Sequence, residues 1–101
     1  MKPRDADAAF TGLEIELMAE AAQSLGLAGK KLEATLAALA ACPPDARPSA
    51  RHVLLDAAVD ATFAYVVQRE SMGWRDSAAA LDLYGVPFEV RARLGATRGR
   101  Q

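Results

Sequence analysis

The sequence has little of what catalytic, metal-binding or membrane-spanning proteins usually need. It contains one cysteine and one histidine, which excludes an internal disulfide and a multi-cysteine metal site. It has no apolar run of about 20 residues that could cross a membrane. Its first residues, MKPRDADAAF, lack the apolar core of a signal peptide. We therefore expect a cytoplasmic protein without a membrane segment.

Aromatic residues are also scarce, at 6%, whereas alanine is frequent. Small side chains favour helices that approach one another closely and are unfavourable in sheets. The formal net charge of −1 predicts no general attraction to nucleic acid or to anionic membranes. A chain of 101 residues fits one domain with one modest core. The composition thus predicts a single all-α domain over residues 1–101, with flexible ends at 1–9 and 96–101.

The first predicted helix spans about residues 11–41. Thr11 and Glu14 have the spacing of a capping box, and Phe10 and Ile15 could close a hydrophobic staple. The apolar stripe keeps its phase across Gly26 and Gly29, which favours one long helix. A break at these glycines is the alternative.

Three further helices are predicted. One spans about 50–72 after the proline-rich connection, with Ser49 as its cap and Gly73 as its terminator. A short helix at about 77–84, capped by Asp76 or Ser77, is followed by another at about 87–94. The expected fold is a small helical bundle, in which a long helical hairpin carries two short carboxy-terminal helices.

The most specific pattern is a heptad seam in the first helix. Large residues recur at seven-residue intervals, and their companion positions are small. Such a seam lets a facing helix come close. Part of it would face the second helix, yet a helix of about 30 residues is longer than this core needs. We therefore expect a homodimer formed through a two-fold contact. The seam residues are Met18, Ala21, Leu25, Ala28, Leu32 and Leu39.

A second feature is a dense group of polar residues where the second long helix ends. We call it the polar corner; it consists of Gln68, Arg69, Glu70, Arg75 and Asp76. There, Arg75 could bond the last helical carbonyls, Asp76 could cap the next helix and Trp74 could cover the junction between the two helices. A contact with an unidentified protein partner or a small anion is the functional alternative. The corner lacks a nucleophile, a phosphate-binding loop and a metal-ligand set.

The two short helices resemble a degenerate DNA-binding helix-turn-helix at 77–94. A glycine-containing turn separates them, and Arg91 and Arg93 lie on the second helix, where they could contact DNA. Two positions depart from the motif: the alanine expected before the turn glycine and the apolar residue expected after it are each displaced by one residue. Dipole complementarity alone also accounts for Glu89 near the start of this helix and for arginines near its end.

Neither His52 with its acidic neighbours nor Cys42 predicts an enzyme. His52, Asp56 and Asp60 share a helix face but are too few, at this spacing, for a convincing metal site. Cys42 is predicted at a helix carboxyl end, where the dipole disfavours a thiolate. We expect no catalytic residue, no metal and no cofactor.

The segments VVQRESMGWRD (66–76) and LYGVPFEVRARLG (83–95) resemble an uncharacterised bacterial family of small all-helical proteins. A looser similarity covers LGLAGKKLE (25–33) in the first helix. The resemblance implies a helical fold and supplies no activity, cofactor or catalytic residue. The function remains unknown from the sequence. The leading hypothesis is a non-enzymatic, self-associating interaction protein, and the alternative is a small DNA-binding regulator.

Overall fold

The computed structural model describes residues 11–99, with side chains up to residue 95. Within this range the chain forms four helices and no strand. Helix α1 spans Gly12–Ala40, α2 spans Pro48–Ser71, α3 spans Ser77–Tyr84 and α4 spans Phe88–Gly99. The predicted all-α fold, with a long hairpin and two short helices, is confirmed.

Local sequence signals determine where most of these helices begin and end. The capping box is present, because Thr11 Oγ1 accepts from the Glu14 N–H at 3.0 Å and Glu14 Oε1 accepts from the Thr11 N–H at 2.8 Å. Gly73 and Gly85 have φ of 84° and 69°, the left-handed conformation that ends helices with little strain. Asp76 is the cap of α3, its Oδ1 accepting from the Ala79 N–H at 3.4 Å. The predicted staple partner Phe10 lies outside the described residues.

Two predicted boundaries were wrong. Ser49 does not cap α2, because Pro48 occupies the first helical position, where its fixed φ suits a helix start. Helix α4 continues to Gly99 rather than ending near residue 94, since Gly95 keeps a helical backbone instead of a positive φ. Residues 96–99, predicted to be a flexible end, therefore belong to α4. The flexible ends predicted at 1–9 and 100–101 lie outside the described residues.

Helices α1 and α2 pack as a hairpin, and the shorter helices cover part of it. Leu32 is fully buried, and Ala58, Tyr65 and Val66 of α2 are buried in the same cluster. Helix α4 adds Val90 to this cluster, and α3 makes a smaller contact with α2. The other buried apolar members of this cluster are Leu39, Leu55, Ala80, Leu81, Val86 and Leu94.

Helix α1 passes through Gly26 and Gly29 without a break, as predicted. Gly29 is buried, and a Cβ there would collide with the Tyr84 hydroxyl and lie 3.6 Å from the Tyr65 ring. The two tyrosine rings meet edge to face, with centroids 5.0 Å apart, and burial raises the pKa of Tyr84 above 10.0. Gly26 is exposed, and a Cβ there would meet nothing within 4 Å. Close packing therefore requires glycine at position 29 but not at position 26.

This difference predicts opposite effects of the same substitution. Gly26→Ala should stabilise the protein by about 0.5–1 kcal/mol, because alanine is the better helix former. Gly29→Ala should destabilise it by about 1–2 kcal/mol, because overpacking against Tyr84 exceeds that gain. Urea unfolding followed by circular dichroism measures both changes. In a Tyr84→Phe background the cost of Gly29→Ala should fall; equal stability of the two alanine variants would contradict this packing.

Candidate functional site

The heptad seam is covered by the same chain along only part of its length. Leu32 and Leu39 are buried in the core that α1 forms with α2, and Leu25 and Ala28 are packed against that core. Met18, by contrast, is 54% exposed. Leu32 and Leu39 are therefore not available to a second chain, and the accessible part of the seam lies before Leu25.

The first turns of α1 extend past the end of α2. Every residue from 11 to 20 is exposed, although Leu17 and Met18 lie near the end of α2. Its large apolar side chains are each more than half exposed, namely Leu13, Ile15, Leu17 and Met18. Leu13 and Leu17 lie one turn apart on the same side of the helix, whereas Ile15 lies on nearly the opposite side. Adjoining exposed apolar groups such as Leu13 and Leu17 commonly mark an interaction surface.

An apolar groove lies where this segment meets the end of α2. We call it the amino-terminal groove; it has a volume of about 570 Å³. Its α1 wall contains Leu17, Met18 and Leu25, and Met72 and Trp74 form part of the opposite wall. Trp74, which the sequence analysis placed over the junction of two helices at the polar corner, lies on the groove wall opposite Leu17 and Met18.

The polar corner is organised mainly by Arg69. Its guanidinium lies 5.1 Å from the centre of the Trp74 ring, a cation–π contact, and its Nη2 donates to the Asp76 carbonyl at 3.4 Å. The last carbonyls of α2, for which Arg75 was expected as donor, accept instead from the backbone N–H groups of residues 72–74. The Arg75 side chain is exposed and makes no hydrogen bond or ion pair within the described residues. Gln68 lines the amino-terminal groove, while Glu70 is exposed.

The arginines of the predicted DNA-contacting helix are paired within the chain. Arg91 donates from Nε to the Val86 carbonyl at 2.9 Å and forms an ion pair with Asp82 at 2.8 Å. Arg93 lies 3.4 Å from Asp56. These contacts tie α4 to the turn before it and to α2. They give Arg91 and Arg93 structural roles that require no nucleic acid.

An ion pair that the sequence analysis did not anticipate joins the starts of α2 and α4. Arg51 contacts Glu89 through two hydrogen bonds, of 2.6 and 3.1 Å. These bonds lower the pKa of Glu89 below its ordinary value of 4.5 and raise that of Arg51. The partners are 38 residues apart, so no local pattern could have revealed the pair.

The other residues considered for chemistry lie on α2 and just after the end of α1. His52 contacts Asp56 at 3.4 Å on an exposed face. Among residues 11–99, no group of three or more histidine, cysteine or acidic side chains could hold a metal ion. Cys42 is a half-buried free thiol beside a cavity of about 440 Å³ that Arg51 and Glu89 also line. No helix in the described part of the chain has the length and apolarity to cross a membrane.

The fold and its surfaces thus define a small helical bundle with an exposed apolar segment at one end. The chain belongs to DUF6665, a family of unknown function, whose model matches residues 1–101. The resemblance to a family of unknown function is confirmed. No curated protein and no solved structure matches the chain.

The Arg51–Glu89 pair predicts a pH dependence of stability. Because folding lowers the pKa of Glu89, the pair stabilises the protein above about pH 4.5, and this contribution is lost as the pH falls through the lower, folded-state pKa. Glu89→Gln should therefore be less stable than the native protein at about pH 6, and the difference should shrink towards about pH 3. Urea unfolding at several pH values measures this, with Asp60→Asn as the control for loss of one exposed charge. A difference that does not change with pH would contradict the role given to the pair.

Proposed function

We propose that this chain is a non-enzymatic protein that associates with a second copy of itself through the first turns of α1. The observation that supports this is the group of four large apolar side chains, each more than half exposed, on residues 13–18. Met18 belongs to the part of the heptad seam that α2 leaves exposed, and Leu13 and Leu17 lie together on another side of α1. Self-association would be the first step of an interaction role.

Helix energetics favour a partner for this segment. Each residue from 12 to 20 is exposed, so these turns gain little from packing within the chain, and most helical stability in proteins comes from packing of an apolar face. Burial of one leucine or methionine side chain contributes about 1.5–3 kcal/mol. A second copy would therefore both order this segment and remove its apolar surface from water.

A different protein partner would bind elsewhere, at the polar corner or at the exposed side chains Leu83 and Phe88, which are 90% and 83% exposed. Cytoplasmic placement is part of the same proposal. The DNA-binding alternative is less well supported, because Arg91 and Arg93 already pair with Asp82 and Asp56.

The proposal predicts a dimer of twice 10.7 kDa by size-exclusion chromatography with light scattering at tens of micromolar protein. Leu17→Ser should weaken association at least about tenfold, because it removes one buried leucine from each copy. Leu83→Ser is the matched control, since Leu83 is an even more exposed leucine on α3. A native monomer at this concentration would refute the proposal. Dissociation by Leu83→Ser, but not by Leu17→Ser, would refute the choice of surface.

A further inference from the structure

Helix α1 carries a second set of positions at heptad spacing beside the seam, on a face whose residues are all exposed. We call it the open face. Its positions alternate by four and three residues, the spacing that keeps one side of a helix turned towards a partner helix. All eight are exposed. They are Leu13, Leu17, Glu20, Ser24, Leu27, Lys31, Ala34 and Ala38.

The open face is complementary to itself when reversed. Its first part has two leucines, its last part has two alanines, and one acid and one base lie between them. In an antiparallel pair, Leu13 would lie opposite the partner's Ala38 and Leu17 opposite the partner's Ala34. Each large side chain then meets a small one, which allows close helix packing.

The charges select this alignment. It places Glu20 opposite the partner's Lys31, and two-fold symmetry forms that pair twice. A parallel, in-register pair would instead place Glu20 against the partner's Glu20 and Lys31 against the partner's Lys31. An antiparallel shift of one heptad would place Lys31 opposite the partner's Leu13 and Glu20 opposite the partner's Ser24, leaving both charges unpaired. Charged residues at helix–helix interfaces commonly set register and orientation in this way.

We infer that the second copy docks on the open face, with the two α1 helices antiparallel and Glu20 paired with the partner's Lys31. This inference rests on the proposed self-association and adds its geometry. The contact would run from residue 13 to residue 38, about 38 Å at 1.5 Å per residue. It would leave the intrachain core of Leu32 and Leu39 undisturbed. The exposed Leu27, at 61%, would be covered as well.

Charge exchange tests this geometry. Glu20→Lys alone and Lys31→Glu alone each create two like-charged contacts in the proposed dimer. Each should raise the dimer dissociation constant at least about tenfold. The double variant Glu20→Lys/Lys31→Glu restores both pairs with reversed sign, and should associate within about threefold of the native protein. Sedimentation equilibrium measures all four proteins, and circular dichroism checks that each remains helical.

The outcomes separate this geometry from the proposed function. A native monomer would overturn both. A native dimer that is unaffected by either single exchange would leave self-association standing and overturn the antiparallel open-face contact. A double variant that associates as weakly as the single variants would also overturn the antiparallel open-face contact. Rescue by the double variant supports the geometry, because no loss of general stability or solubility would be reversed by a second charge change.

Discussion

The packing of α1 against α2 is the interaction on which the rest of the structure depends, and it buries Leu32 completely. Along this contact, Tyr84 of α3 packs closely against Gly29, and Tyr65 of α2 completes the same cluster. Because a side chain at position 29 would push Tyr84 away, the glycine serves packing rather than flexibility. The helix can therefore tolerate a residue of poor helix propensity and continue unbroken to Ala40.

Because α1 is unbroken, it has two long faces that differ in exposure. One face supplies Leu32 and Leu39 to the core, and the other remains exposed from Leu13 to Ala38. Since α1 also extends past the end of α2, its first turns expose the seam as well. Self-association is thus proposed because α1 exposes more apolar surface than the other three helices cover.

Local features of this fold could be predicted from the sequence, whereas long-range contacts could not. The Thr11 capping box and the terminators Gly73 and Gly85 act within a few residues, so their patterns are informative. The heptad seam was visible too, but which of its residues face α2 depends on where that helix ends in space. The partners of Arg51 and Arg93 lie on other helices, so no local pattern could have revealed them.

The most direct test of the account is the length of α1 in solution. Ala19→Cys and Ala37→Cys place spin labels on one side of the helix, 18 residues or five turns apart, in a Cys42→Ser background diluted with unlabelled protein. An unbroken helix predicts a single distance distribution centred near about 27 Å between the labelled backbone positions. A second population well below about 20 Å would show that α1 bends at Gly26–Gly29, and it would contradict both the continuous helix and the surface built on it.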